Sequence, residues 1–169
     1  MKSDRTNKGF TLVELIIVIV VISILAFIMG QFVAKGIDAW IFVKSRETAL
    51  GTGRYAMERM VREMRAIRRP NTITIAASSE VEFFSTLGTT VNIKQTGDEL
   101  TLSNISLTTN TQVLADGLSE PGGLVFTYYD VNSNVTSVVH DMRYITIKLS
   151  IIKGDQTIVL EDGARIRNL

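Results

Sequence analysis

Residues Phe10 to Ala34 form a nearly unbroken apolar run, FTLVELIIVIVVISILAFIMGQFVA, with one acidic side chain, Glu14, close to its start. No other stretch restricts the fold so strongly. As a helix these 25 residues span roughly 37 Å, enough for a hydrocarbon core of about 30 Å. A charge held at mid-bilayer costs roughly 2.5–3.5 kcal/mol, so Glu14 is expected to persist only where a partner neutralises it. An ordinary secretory signal has a shorter apolar core followed by small residues at a cleavage site. Here the run is longer and a charged leader, MKSDRTNKG, precedes it. Lys2, Arg5 and Lys8 against Asp4 bias that leader to the cytoplasm by the positive-inside rule. The reading is a single-pass, N-terminally anchored chain, with everything after about Lys35 outside the cytoplasm.

The order Lys8, Gly9, Phe10, Thr11, Leu12, Val13, Glu14, followed by the apolar run, resembles the type IV pilin and pseudopilin family. The resemblance covers roughly the first fifth of the chain firmly and the rest loosely. It implies that a prepilin peptidase of the inner membrane cuts between Gly9 and Phe10 and methylates the new Phe10 amine. It also implies that Glu14 accepts the Phe10 amine of a neighbouring subunit, an ion pair favoured over an unpaired buried charge. The implied partners are the peptidase, other subunits of a helical filament and an inner-membrane assembly platform. A glutamate tolerated at headgroup level in an ordinary signal anchor is the plainer alternative, and the Gly-Phe junction weighs against it.

Charge and composition exclude several other classes. The whole sequence has 18 basic and 17 acidic side chains; without the leader it has 15 and 16, near neutrality. That balance does not call for nucleic acid. There is no cysteine, so disulfides do not stabilise an exported domain. About one hundred residues beyond the helices suffice for one small core.

The helix is expected to continue past the membrane, because no proline occurs between Gly36 and Arg69 before Pro70 ends it. Met57, Met60, Val61, Met64 and Ile67 repeat at helical spacing, and Arg54, Glu58, Arg62, Arg65 and Arg69 line another face. Gly51 and Gly53 predict a break or bend, or a site of close packing, since each weakens a helix by about 1 kcal/mol. After Pro70 the sequence predicts strands over 72–76, 81–85, 91–95, 99–104, 124–130, 135–140, 144–152 and 157–161. Gly97-Asp98, Asn132–Asn134 and Gly154-Asp155 are turn signals, and 103–123 reads as an irregular loop. The expected fold is α+β and pilin-like: a long hydrophobic helix running into an amphipathic one, packed on an antiparallel sheet. The expected segments are a leader over 1–9, a transmembrane and filament-core helix over 10–34, an amphipathic helical segment over 35–69 and a β domain over 70–169.

Departures from the family pattern sharpen the reading. Major subunits usually carry a helix-kinking proline where this chain has Gln31, beside Gly30, and often a glycine where it has Ser23. Residues 54–65 (RYAMERMVREMR), 126–130 (FTYYD) and 165–168 (RIRN) resemble J-type minor pseudopilins of type II secretion and minor pilins of mannose-sensitive-haemagglutinin-type pili. That implies a tip component that helps start filament assembly.

The remaining chemistry is thin. His140 is the sole histidine; without a Gly-x-Ser-x-Gly elbow a triad is not expected, and one histidine without cysteine does not make a zinc site. His140 reads as a strand or edge residue. Asp98-Glu99 and Glu161-Asp162 are acidic pairs that read as solvated turns rather than calcium ligands. Neither a cofactor nor a metal is expected. The arginines 54, 62, 65, 68 and 69 offer a phosphate-binding stripe for a competence-type, DNA-binding alternative. Against it, Glu58 with Arg62 and Arg59 with Glu63 have the i,i+4 spacing of intrahelical pairs, and aromatic platforms for stacking on bases are absent from that face. Asn104-Ile105-Ser106 and Asn134-Val135-Thr136 match the glycosylation sequon, a pattern short enough to arise by chance.

Overall fold

The structure, a computed structural model, describes residues 10–105, 109–154 and 156–166; the leader 1–9, residues 106–108, Asp155 and the 167–169 end lie outside them. One helix, α1, runs over Leu12–Met64. It starts where Thr11 caps it and contains no proline to interrupt its hydrogen-bond ladder. Its last turn tightens: Arg65 N–H still reaches Val61 O, but Ala66 and Ile67 bond three residues back, to Glu63 O and Met64 O. The helix therefore closes short of the Arg69 boundary expected from Pro70. Two forces end it early. Ile67 is drawn into a bridge with Ser85, and Arg69, preceding proline, is extended (φ −151°, ψ 155°), as the proline ring demands.

Among the described residues eight strands follow: β1 (Ile73–Ala76), β2 (Glu80–Phe84), β3 (Thr90–Thr96), β4 (Glu99–Ile105), β5 (Thr109–Ala115), β6 (Leu124–Tyr129), β7 (Tyr144–Lys153) and β8 (Gln156–Arg165). All pairings are antiparallel. The single expected sheet is two: a five-stranded meander in the order β1-β2-β3-β4-β5 and a three-stranded one in the order β6-β7-β8. Gly97 (φ 63°) opens the two-residue β3–β4 turn, where a positive φ lets the hairpin keep its twist.

Two of the expected elements change. The 103–123 stretch contains β5, which pairs with β4 along its length. The strand expected over 135–140 does not form. Val135 makes one isolated bridge to Tyr129, Thr136 Oγ1 accepts the Val138 N–H, and Val139–Asp141 is a 3-10 turn. A hydroxyl that satisfies the backbone locally competes with the ladder.

The chain divides at Val43/Lys44 into two compact units. In the second, the expected apolar face of α1 is buried: Ala56, Met57, Met60, Val61 and Met64 join Phe83, Ile93, Leu102, Ile145, Ile147 and Leu149 in one core. Gly53 packs closely against the second sheet; a Cβ built on it would lie 2.7 Å from Leu160 Cδ1 and 3.0 Å from Ile151 Cδ1. Of the alternatives expected at Gly51 and Gly53, close packing holds at Gly53 alone, Gly51 has open space beside it, and the helix breaks at neither. Polar groups tie the two sheets together. Gln95 accepts the Leu124 N–H and donates to Ser119 O, Phe126 N–H donates to Ser78 O, and the buried Tyr128 hydroxyl donates to Ala77 O.

Candidate functional site

The residues with the strongest functional signal gather at the start of α1. Phe10 is 87 % exposed, and Gly9 lies outside the described residues. Thr11 Oγ1 accepts the Glu14 N–H at 3.3 Å. Glu14 Oε2 accepts both the Thr11 N–H and the Thr11 hydroxyl, each at 2.8 Å. This is a reciprocal capping box: the threonine satisfies a donor of the first turn while the glutamate three residues on reaches back to the cap. The carboxylate also stands at the positive end of the helix dipole, where negative charge is favoured. Glu14 therefore has a local role beyond the charge pairing expected for it. Thr11 enters only as part of the Phe-Thr-Leu-Val-Glu motif in the sequence, although the Thr-x-x-Glu spacing before an apolar run is legible there as a helix start.

From this cap onward the helix surface is open. Every large apolar side chain from Leu12 through Val43 is exposed, and the helix is long and apolar enough to cross a membrane. Ser23 does not interrupt it, because its hydroxyl donates back to Ile19 O at 2.8 Å, and α1 passes through Gly30 and Gln31 without a break.

The other expected site residues are dispersed. Arg54, Glu58, Arg62, Arg65, Arg68 and Arg69 are exposed, so the charged face forms as expected. Of the two intrahelical pairs, Arg59–Glu63 closes at 2.7 Å, while Glu58 and Arg62 make no ion pair among the described residues. His140 occupies the 3-10 turn rather than a strand, 77 % exposed and 3.1 Å from Asp141. Asp98-Glu99 sits at the β3–β4 turn, but Glu161-Asp162 lies within β8, where successive side chains point to opposite faces. An open groove is lined by Ser78, Ser79, Gln95, Glu120 and Pro121. Gln95 is committed there to holding the sheets together, so the groove gathers no set of groups for acid–base work.

Residues 4–30 match the family model of the prokaryotic N-terminal methylation motif. That match supports a type IV pilin-like family. No curated protein matches it. The motif implies processing by prepilin peptidase and assembly with other pilin subunits, and it points to a structural protein rather than an enzyme. The observed order, an apolar N-terminal helix followed by antiparallel sheet, is that of a pilin-like α+β fold.

Proposed function

We propose that this pilin-like chain is a minor pilin or pseudopilin, a structural subunit of a type IV pilus or a type II secretion pseudopilus that helps initiate filament assembly at the tip. It waits in the inner membrane, held by residues 10–34, with the β domain on the periplasmic or outer side. Prepilin peptidase removes residues 1–9 after Gly9 and methylates the Phe10 amine. Residues Leu15–Ala34 then pack against equivalent helices in the filament. The observation that carries this reading is the coincidence of the methylation motif over residues 4–30 with an exposed apolar helix that begins at the Thr11–Glu14 cap.

In this reading Glu14 also registers the subunits. Its Oε2 is taken by its own Thr11, and its Oε1 has no partner among the described residues. A neighbour's Phe10 ammonium meets a carboxylate already oriented by the cap, which lowers the entropy lost on pairing. The tip assignment is supported by the likeness of residues 54–65 to minor subunits and by Gln31 where major subunits carry proline. The exposed arginines on their own do not favour the competence-type, DNA-binding reading over this one.

Replacement of Glu14 by alanine tests the assignment directly. Glu14→Ala is expected to be cleaved like the native chain, by mass of the mature N-terminus, yet to be depleted from sheared filaments; normal incorporation overturns the registration role. Gly9→Val is expected to retain the leader, and cleavage of that variant removes the peptidase from the account.

A further inference from the structure

The apolar surface of α1 does not stop at Ala34. Ile37, Trp40, Ile41 and Val43 are 52 %, 66 %, 53 % and 62 % exposed, and the compact unit that holds the core begins only at Lys44. On a helix of 3.6 residues per turn, Ile37, Trp40 and Ile41 continue the stripe of Met29 and Val33. Lys35, Asp38 and Arg46 fall on the opposite side. Phe42, 47 % exposed, lies on that charged side too, so both faces carry apolar surface just where the uninterrupted apolar run gives way to charge.

Position along the axis says what covers it. Trp40 follows Phe10 by 30 residues, or about 45 Å of helix. A bilayer measures about 40–45 Å across including both headgroup layers. With Phe10 at the inner boundary, beyond which lies the charged leader, Trp40 falls at the outer headgroup layer. Tryptophan favours that layer because its ring is apolar and its indole N–H needs a polar partner. The stripe is also continuous with the surface that faces the hydrocarbon.

We propose that residues Ile37–Val43 form an interfacial anchor that seats the unassembled chain in the outer headgroup layer, with Trp40 as its fixed point. The inference rests on the membrane-anchored reading above. The anchor sets depth: with Trp40 at one boundary and the charged leader or Phe10 amine at the other, the helix cannot slide along the membrane normal. Glu14 is thereby kept near the inner boundary until a neighbour arrives.

Trp40 is the only tryptophan, so its fluorescence reports this position alone. The full chain is reconstituted in phosphatidylglycerol–phosphatidylcholine vesicles carrying bromine near the glycerol end or near the terminus of the acyl chains. Flotation of the protein with the vesicles is measured on the same sample. Quenching is expected to be roughly twofold stronger with the shallow label than with the deep one, as for a ring at the interface. The double variant Trp40→Phe, Ile22→Trp is expected to reverse that order. Chain that floats while Trp40 is quenched best by the deep label, or only by iodide in the water, overturns the anchor and leaves the span intact. Quenching by none of the three shows Trp40 covered by protein and also overturns it. Chain that fails to float removes the membrane reading itself.

Discussion

Two side chains show how much one polar contact decides here. Thr11 and Glu14 close the first turn of α1 on each other, so the acid that a membrane would reject is also what lets the helix begin. Tyr128 does the same inside the core. Its hydroxyl donates to Ala77 O at 3.0 Å, across the seam between the sheets, and burial pushes its pKa well up. A tyrosine raised in the folded state keeps its proton there while the unfolded chain loses it near pH 10, at its ordinary value. Its contribution is therefore fully present below about pH 10 and is lost as pH rises beyond it. Tyr128→Phe, which leaves Ala77 O without its donor, is expected to cost about 1 kcal/mol at neutral pH. Urea unfolding of the detergent-solubilised chain at about pH 9 and about pH 11 checks the sign: the difference between native chain and variant should shrink as pH rises.

Among the elements, α1 is the one whose surface changes character along its length, and its two central glycines separate propensity from packing. Gly51 has open space where a Cβ would be placed, whereas Gly53 faces Leu160 and Ile151. Gly51→Ala is expected to stabilise the chain by about 1 kcal/mol, the difference in helix propensity. Gly53→Val is expected to destabilise it by roughly 1–3 kcal/mol, because a branched side chain must displace the β7–β8 hairpin. Thermal unfolding followed by circular dichroism distinguishes them, and equal effects would mean that Gly53 is not a contact point. The Met57–Met64 face was legible in the sequence because helical periodicity is local. Strands β1 to β4 and β6 to β8 were legible within a few residues for the same reason. β5 was not, since its residues TNTQVLA have no apolar alternation; they extend because β4 offers an edge, with Ser103 and Thr111 hydroxyls 2.9 Å apart. The region 135–140 erred the other way. Its valines suit a strand, but the Asp130 carboxylate accepts the Asn132 and Asn134 N–H groups and turns the chain there. Those same bonds, with that to Asn134 foremost, hold the Asp130 pKa below the usual carboxylate range.

Across the molecule, every buried apolar residue described lies at Ala49 or beyond. A fragment beginning at Lys44 is therefore expected to be soluble without detergent and to unfold at the same midpoint as the full chain. A midpoint lower by more than a few degrees would mean that the N-terminal segment stabilises the core. At the other end of the chain, what could be read early was set by near neighbours. The apolar run, the charge at Glu14, the Gly9-Phe10 junction and the apolar stripe on α1 all depend on residues within a few turns of one another, and the pilin-like class followed from them. The split into two sheets, the recruitment of β5, the early end of α1 at Met64 and the packing role of Gly53 depend on partners far along the chain. Ile67 meets Ser85, and Gly53 meets Leu160. Such contacts form only when distant segments bury their apolar surface together, and no local pattern encodes the partner.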